Sequence, residues 1–230
     1  MKTIGLLGGM SWESTLIYYK LLNQAVKEKL KGSHSAKIIM YSFDYAELEA
    51  LLNQNAWQDI YQILLDKSQK LIDQGADLIV LCANTMHIIA KRLAAEIRVP
   101  LIQITEATAE KVVERKLKKV ALIGTKYTMQ STIYQAAFEH TLVEVFIPNL
   151  ETQDMIHHTI YNELIKGVFL KERRDQFIEM INQLAKQGVE GVIMGCTEIP
   201  LLIQEKDVSI PLFDTLSIHV DAIIKAAFSE

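Results

Sequence analysis

Short runs of Ile, Val and Leu alternate along this 230-residue chain with longer stretches of mixed apolar and polar residues. The runs fall at residues 3–7, 37–41, 78–81, 101–104, 120–123, 142–147, 191–194 and 212–213. Near-continuous apolar segments of this length suit strands of a parallel sheet that is covered on both faces. The stretches between them carry helical patterns. Residues 14–29 read as a helix opened by a serine cap, while 57–74 and 173–187 stop at Gly75 and Gly188. Strand and helix alternating with short links predict βαβ units with right-handed crossovers, and therefore an α/β fold.

The two halves of the pattern repeat. The run from Lys2 to Gly9, followed by Ser14, Thr15 and Tyr18, returns as Lys119 to Thr125, followed by Ser131, Thr132 and Tyr134. The segment from Gly75 through Cys82 to Thr85 is echoed from Gly188 through Cys196 to Glu198, and Val99-Pro100 to Thr105 by Ile210-Pro211 to Thr215. Three pairs in one order, offset by about 111–117 residues, indicate a duplication. The expected lobes are residues 1–98 with 212–230, and residues 99–211. Two such lobes are expected to be related by a pseudo-twofold axis, with the active site in the cleft between them. Ligands of open parallel sheets sit beyond the carboxyl ends of the strands. Cys82 and Cys196 both follow such ends, which makes their loops the candidate site.

Composition narrows the classes. Half the residues are hydrophobic, enough for a sizeable core, and the net charge of −4 gives no reason to expect a nucleic-acid or membrane-surface partner. No apolar run approaches the roughly 18–20 residues that span a bilayer, and the opening residues lack the architecture of a cleavable leader. Two cysteines make no disulfide framework and read as reduced thiols in a cytoplasmic protein. Neither CxxC nor HExxH occurs, and the six histidines are not at ligand spacing, so no metal is expected.

Chemistry concentrates at a few strand ends. In Gly195-Cys196-Thr197-Glu198, the cysteine precedes a turn that starts a helix, and free backbone N–H groups there lower a thiol's pKa and can hold a carboxylate. Elsewhere a lone cysteine is more often a small buried hydrophobe. The matching loop, Cys82-Ala83-Asn84-Thr85-Met86-His87, offers Asn84 and Thr85 as helix caps or as donors to a substrate carboxylate. The glycines of Gly5 to Met10 lack both the GxGxxG spacing and a P-loop lysine, which argues against a nucleotide; their backbone can still approach a small ligand closely. His87 and His219 follow these loops and read either as tuning a thiol or as packed histidines. Asp214, at a strand end, suits either role.

With Gly195-Cys196-Thr197-Glu198, the opening Ile4 to Met10 and Asn84-Thr85-Met86-His87 in view, the whole chain resembles the aspartate/glutamate racemase family. The resemblance implies two doubly wound domains and an isomerase that needs neither pyridoxal phosphate nor a metal. It implies two thiols facing the substrate α-carbon from opposite sides, one removing the proton and the other returning it. Cys196 matches the second-half thiol. In the first half the family's cysteine directly precedes the asparagine–threonine pair; that place is Ala83 here, and Cys82 lies one residue earlier. One step along an extended chain turns a side chain to the opposite face, so Cys82 is expected to matter far less than Cys196. The resemblance also places Met10, Ala83, Asn84, Thr85, Thr197 and Glu198 around the substrate, and Lys166 near the lysine of members that take acidic substrates. Two other readings stay open: a single-thiol lyase or isomerase of the same superfamily, and an amino-acid-binding protein with weak catalysis. The partner implied is a small amino-acid or carboxylate substrate, with a homodimer as one open option for assembly.

Overall fold

The computed structural model describes residues 1–229. These residues form eight strands: β1 (Ile4–Gly8), β2 (Ile38–Ser42), β3 (Leu78–Leu81), β4 (Leu101–Ile102), β5 (Lys119–Gly124), β6 (Glu144–Phe146), β7 (Gly191–Gly195) and β8 (Leu212–Asp214). They form two four-stranded sheets in the orders β2-β1-β3-β4 and β6-β5-β7-β8, and every pairing is parallel. The two orders correspond strand for strand. The sequence repeat is therefore a repeat of topology.

Two compact units follow, one made of Met1–Gln103 with His219–Glu230 and the other of Ile104–Ile218. The helix after β4, Ile104–Glu114, belongs to the second unit, and most of the last helix, Thr215–Phe228, belongs to the first. In each unit the two central strands are buried along nearly their whole length, and the outer strands are partly exposed. That contrast explains why β1, β3, β5 and β7 carry the unbroken apolar runs. Only they need both faces apolar.

Several boundaries differ from the sequence reading for local reasons. The first long helix is Trp12–Leu30, and its cap is Ser11, whose hydroxyl accepts from the Ser14 amide at 3.2 Å. Thr15 Oγ1 donates to Ser11 O, so Ser14 and Thr15 lie inside the helix and fasten its start. Residues 101–104 shrink to a two-residue strand because Ile104 already opens a helix. The run at 142–147 pairs only at Glu144–Phe146, on a sheet edge. Helices Trp57–Asp73 and Lys171–Lys186 do end at Gly75 and Gly188, both in left-handed backbone with φ of +100° and +85°.

Each sheet places a topological switch beside its first strand. The chain leaves β1 for β2 on one side and returns to β3 on the other, and β5, β6 and β7 do the same. Loops after such a pair of strands diverge and leave a crevice at their carboxyl ends. The loops concerned are those after β1 and β3 in one unit, and after β5 and β7 in the other.

Candidate active site

The first-unit loops begin at Gly8 and at Cys82. Gly9 has φ +82°, and a Cβ there would collide with the Phe43 backbone, so only glycine brings the chain this close. Its amide donates to Thr15 Oγ1 at 2.8 Å. Met10 follows, largely buried, and Ser11 starts the helix.

On the neighbouring strand the Cys82 amide donates to Leu7 O at 3.0 Å, extending the sheet by one residue beyond β3. Cys82 thus keeps the strand's alternation, and its side chain is fully buried. Burial pushes its thiol far above the ordinary range, which leaves it an un-ionised core group. Ala83 is the next residue, 8% exposed, and Asn84 is 4% exposed. Thr85, half-buried, opens a short 3-10 turn, Thr85–Ile89. Asn84 makes no side-chain capping bond to this turn, in contrast to the cap reading. Its backbone is right-handed helical at φ −65°, ψ −50°, whereas a capping residue needs an extended backbone.

The second unit arranges its loops differently. Gly124 and Gly195 pair across β5 and β7, and a Cβ on Gly124 would lie 2.7 Å from Gly195 O. Thr125 then caps a short helix, Lys126–Gln130, through the Thr128 amide. After β7 come Cys196, Thr197 and Glu198, which are 6%, 8% and 5% exposed. The Cys196 thiol donates to Glu198 Oε2 at 3.0 Å, and Thr197 Oγ1 donates to the same oxygen at 3.0 Å. A four-residue helix, Ile199–Leu202, follows with Pro200 in its first turn.

The charge balance at Cys196 corrects a sequence expectation. The turn amides of Glu198 and Ile199 do pull the thiol pKa down, as expected, but they lose. Burial raises it most, and the Glu198 negative charge and the thiol's bond to that carboxylate raise it further. The resting group is a thiol hydrogen-bonded to the Glu198 side chain. From behind, Thr215 Oγ1 donates to Met194 O at 2.8 Å and holds the strand end that carries Cys196. Asp214 accepts from the Leu216 and Ser217 amides and from Ser217 Oγ, so it is a helix cap.

Lys166 is exposed at the end of a short turn, Leu164–Lys166, followed by left-handed Gly167. Three residues earlier, Glu163 is bound by Arg173 Nε at 2.8 Å, which ties the loop to the next helix. The sequence reading gave no role to Thr125, Tyr18 or Tyr134. The repeat held the signal for all three, since Thr125 follows Gly124 as Gly9 follows Gly8, and the tyrosines occupy corresponding places. In the structure Tyr18 bonds His219, and buried Tyr134 bonds Thr108 and Thr215. Among the described residues no three His, Cys, Asp or Glu side chains gather as a metal site, and no helix is long and apolar enough to cross a membrane.

Comparison with known proteins bears on the family and the fold. The family model for Asp/Glu/Hydantoin racemase matches residues 7–223. The broad specificity amino-acid racemase RacX of Bacillus subtilis (strain 168) is 23% identical over 164 residues, covering 68% of this chain and 67% of that protein. A glutamate racemase of Aquifex aeolicus (strain VF5) is 30% identical over 144 residues, 59% of this chain and 51% of its own length. The chain thus spans about half to two thirds of the curated relatives it matches. Two crystal structures match over 100% of both chains. One is a candidate Asp/Glu racemase from Yersinia pestis, 42% identical with a TM-score of 0.93. The other is an aspartate racemase homologue from Pyrococcus horikoshii OT3, 36% identical with a TM-score of 0.86. The family's named racemases are isomerases, and with its model matched over nearly the whole sequence this chain belongs to the Asp/Glu/Hydantoin racemase family.

Proposed function

We propose that the protein is a cofactor-independent amino-acid racemase, acting on aspartate, glutamate or a broader set, with Cys196 moving the α-proton. The observation that carries this reading is the Cys196–Glu198 bond at the end of β7, in a chain of racemase family. Donors at Asn84, Thr85 and Thr197, with the turn amides, take the substrate carboxylate, and Met10 and Ala83 border the reacting carbon. Glu198 accepts the thiol proton. The resulting thiolate removes the α-proton, and the electron pair passes from the C–H bond into the carboxylate as an enediolate. One solvent water on the opposite face protonates the carbon to complete inversion, and the hydroxide left behind takes back the proton held on Glu198. The carboxylate donors stabilise the charge that develops there, and exclusion of water strengthens them. Lys166 is the residue proposed for an acidic substrate side chain.

The first-unit loop favours a second reading. Ala83 has no proton to give, and Cys82 is fully buried with its thiol held un-ionised. An enzyme with one thiol exchanges or delivers a proton on one face only, as a lyase or isomerase of the superfamily does. Incubation with single enantiomers in deuterated water separates the readings. Deuterium incorporated with inversion supports racemisation, and incorporation with retention supports one-sided proton transfer. Absence of incorporation with every amino acid tried removes both.

A further inference from the structure

Two buried histidines stand behind the Cys82–Thr85 loop, and the proposed proton transfer uses neither. His87 is 3% exposed and His219 is fully buried, as is Tyr18. His87 Nδ1 lies 2.8 Å from Ala83 O. His219 Nε2 lies 2.8 Å from Ile102 O, and its Nδ1 lies 2.8 Å from the Tyr18 hydroxyl. The two rings meet edge to face, with centroids 5.9 Å apart.

The partners fix where the protons sit. A carbonyl oxygen only accepts, so His219 carries its proton on Nε2 and His87 carries its proton on Nδ1. His219 Nδ1 is then an acceptor, and Tyr18 O–H donates to it. His219 is thereby anchored to β4 through Ile102, which pairs with Val80 of β3, and to helix Trp12–Leu30 through Tyr18. Its ring in turn backs the ring of His87. The assembly ends on the backbone of the substrate loop, at the Ala83 carbonyl and at the Asn84 backbone. That carbonyl belongs to the peptide whose N–H is the amide of Asn84, so fixing the oxygen fixes the amide's direction.

We propose that His87 is a positioning residue: its Nδ1–H, backed by His219, holds the Ala83 carbonyl and so aims the Asn84 and Thr85 donors at the substrate carboxylate. The inference rests on the proposed role of those two residues. It explains why a histidine sits four residues after Ala83 in a turn with no side-chain cap.

The test uses the full-length protein with two substitutions. His87→Phe keeps a ring against His219 but has no donor, and His87→Asn restores a donor near the place of Nδ1. The measurements are KM and kcat for α-proton exchange, together with amide hydrogen exchange of residues 83–86. His87→Phe is expected to raise KM about five- to tenfold, the scale of one hydrogen bond, with kcat changed less than about twofold. Its loop amides exchange faster, and His87→Asn recovers both KM and protection. Unchanged KM and unchanged loop protection in His87→Phe overturn the proposal, even if the melting temperature falls. A His87→Asn protein as impaired as His87→Phe also overturns it, and if His87→Phe does not fold, a large KM increase in His87→Asn does the same. Should the unaltered protein exchange no α-proton, the racemase reading fails, and loop protection alone decides whether His87 positions the loop.

Discussion

The thiol of Cys196 and the carboxylate of Glu198 share a hydrogen bond of 3.0 Å, two residues apart at the end of a buried strand. Nothing in ordinary packing calls for this pair. A thiol that only filled space would not be set against a buried carboxylate that raises its pKa. In the proposed mechanism the pair is an acid and its base. Glu198→Gln removes both the negative charge and the charged acceptor, so the thiol pKa falls, with burial still raising it against the turn amides of Glu198 and Ile199. The variant is expected to be alkylated at Cys196 by iodoacetamide faster than the unaltered protein at pH 8. Its α-proton exchange should fall on the order of 10²-fold for want of a base. Unchanged alkylation and unchanged exchange would sink this role for Glu198.

Cys82 offers the contrasting case. Its thiol is wholly buried and un-ionised, and the sheet continues through its own amide. Cys82→Ala is expected to leave exchange rates within about twofold. It should cost about 1 kcal/mol of stability, the scale of losing one buried methyl-sized group. Thermal unfolding and exchange kinetics check both halves. A large loss of turnover with an unchanged melting temperature would place this thiol in the chemistry.

Much of this was legible in the chain. The central strands announced themselves because β1, β3, β5 and β7 are buried along nearly their whole length and, apart from Lys119 at the start of β5, are apolar or glycine. The duplication was legible because Cys82 and Cys196 close corresponding strands. Edge strands were harder: Glu144–Phe146 has an exposed first residue, and Leu101–Ile102 is cut short by a helix that starts at Ile104. The sign of the Cys196 shift was not legible at all. It depends on burial and on the Glu198 side chain turning back onto the thiol, and no spacing rule specifies that rotamer. Nor does spacing reveal that His87 and His219, 132 positions apart, meet as rings.

Those two histidines set an acid limit. Burial is the main cause lowering His87 to about 4, against its bonds to the Ala83 and Asn84 backbone. Burial, then the His87 charge, lowers His219 to about 3. An unfolded histidine titrates near 6.5, so the unfolded chain binds protons before the folded one does. The stability of the neutral pair is complete above about pH 6.5 and is lost as pH falls toward 4 and then 3. Melting temperatures measured from pH 7.5 down to 4 should therefore decline, and His219→Asn should flatten that decline. An equal slope in the two proteins would mean that these rings do not govern it.

The most direct measurement is α-proton exchange in deuterated water, with L- and D-amino acids and no added cofactor, in the unaltered protein and in Cys196→Ala. Cys196→Ala removes a single buried sulfur from a residue that is 6% exposed, so the variant should fold, with a loss of stability on the same scale as in Cys82→Ala. The account predicts incorporation of deuterium by the unaltered protein and its loss by at least about 10³-fold in Cys196→Ala, as expected when the proton-transferring group itself is removed. Near-normal exchange by Cys196→Ala would contradict it.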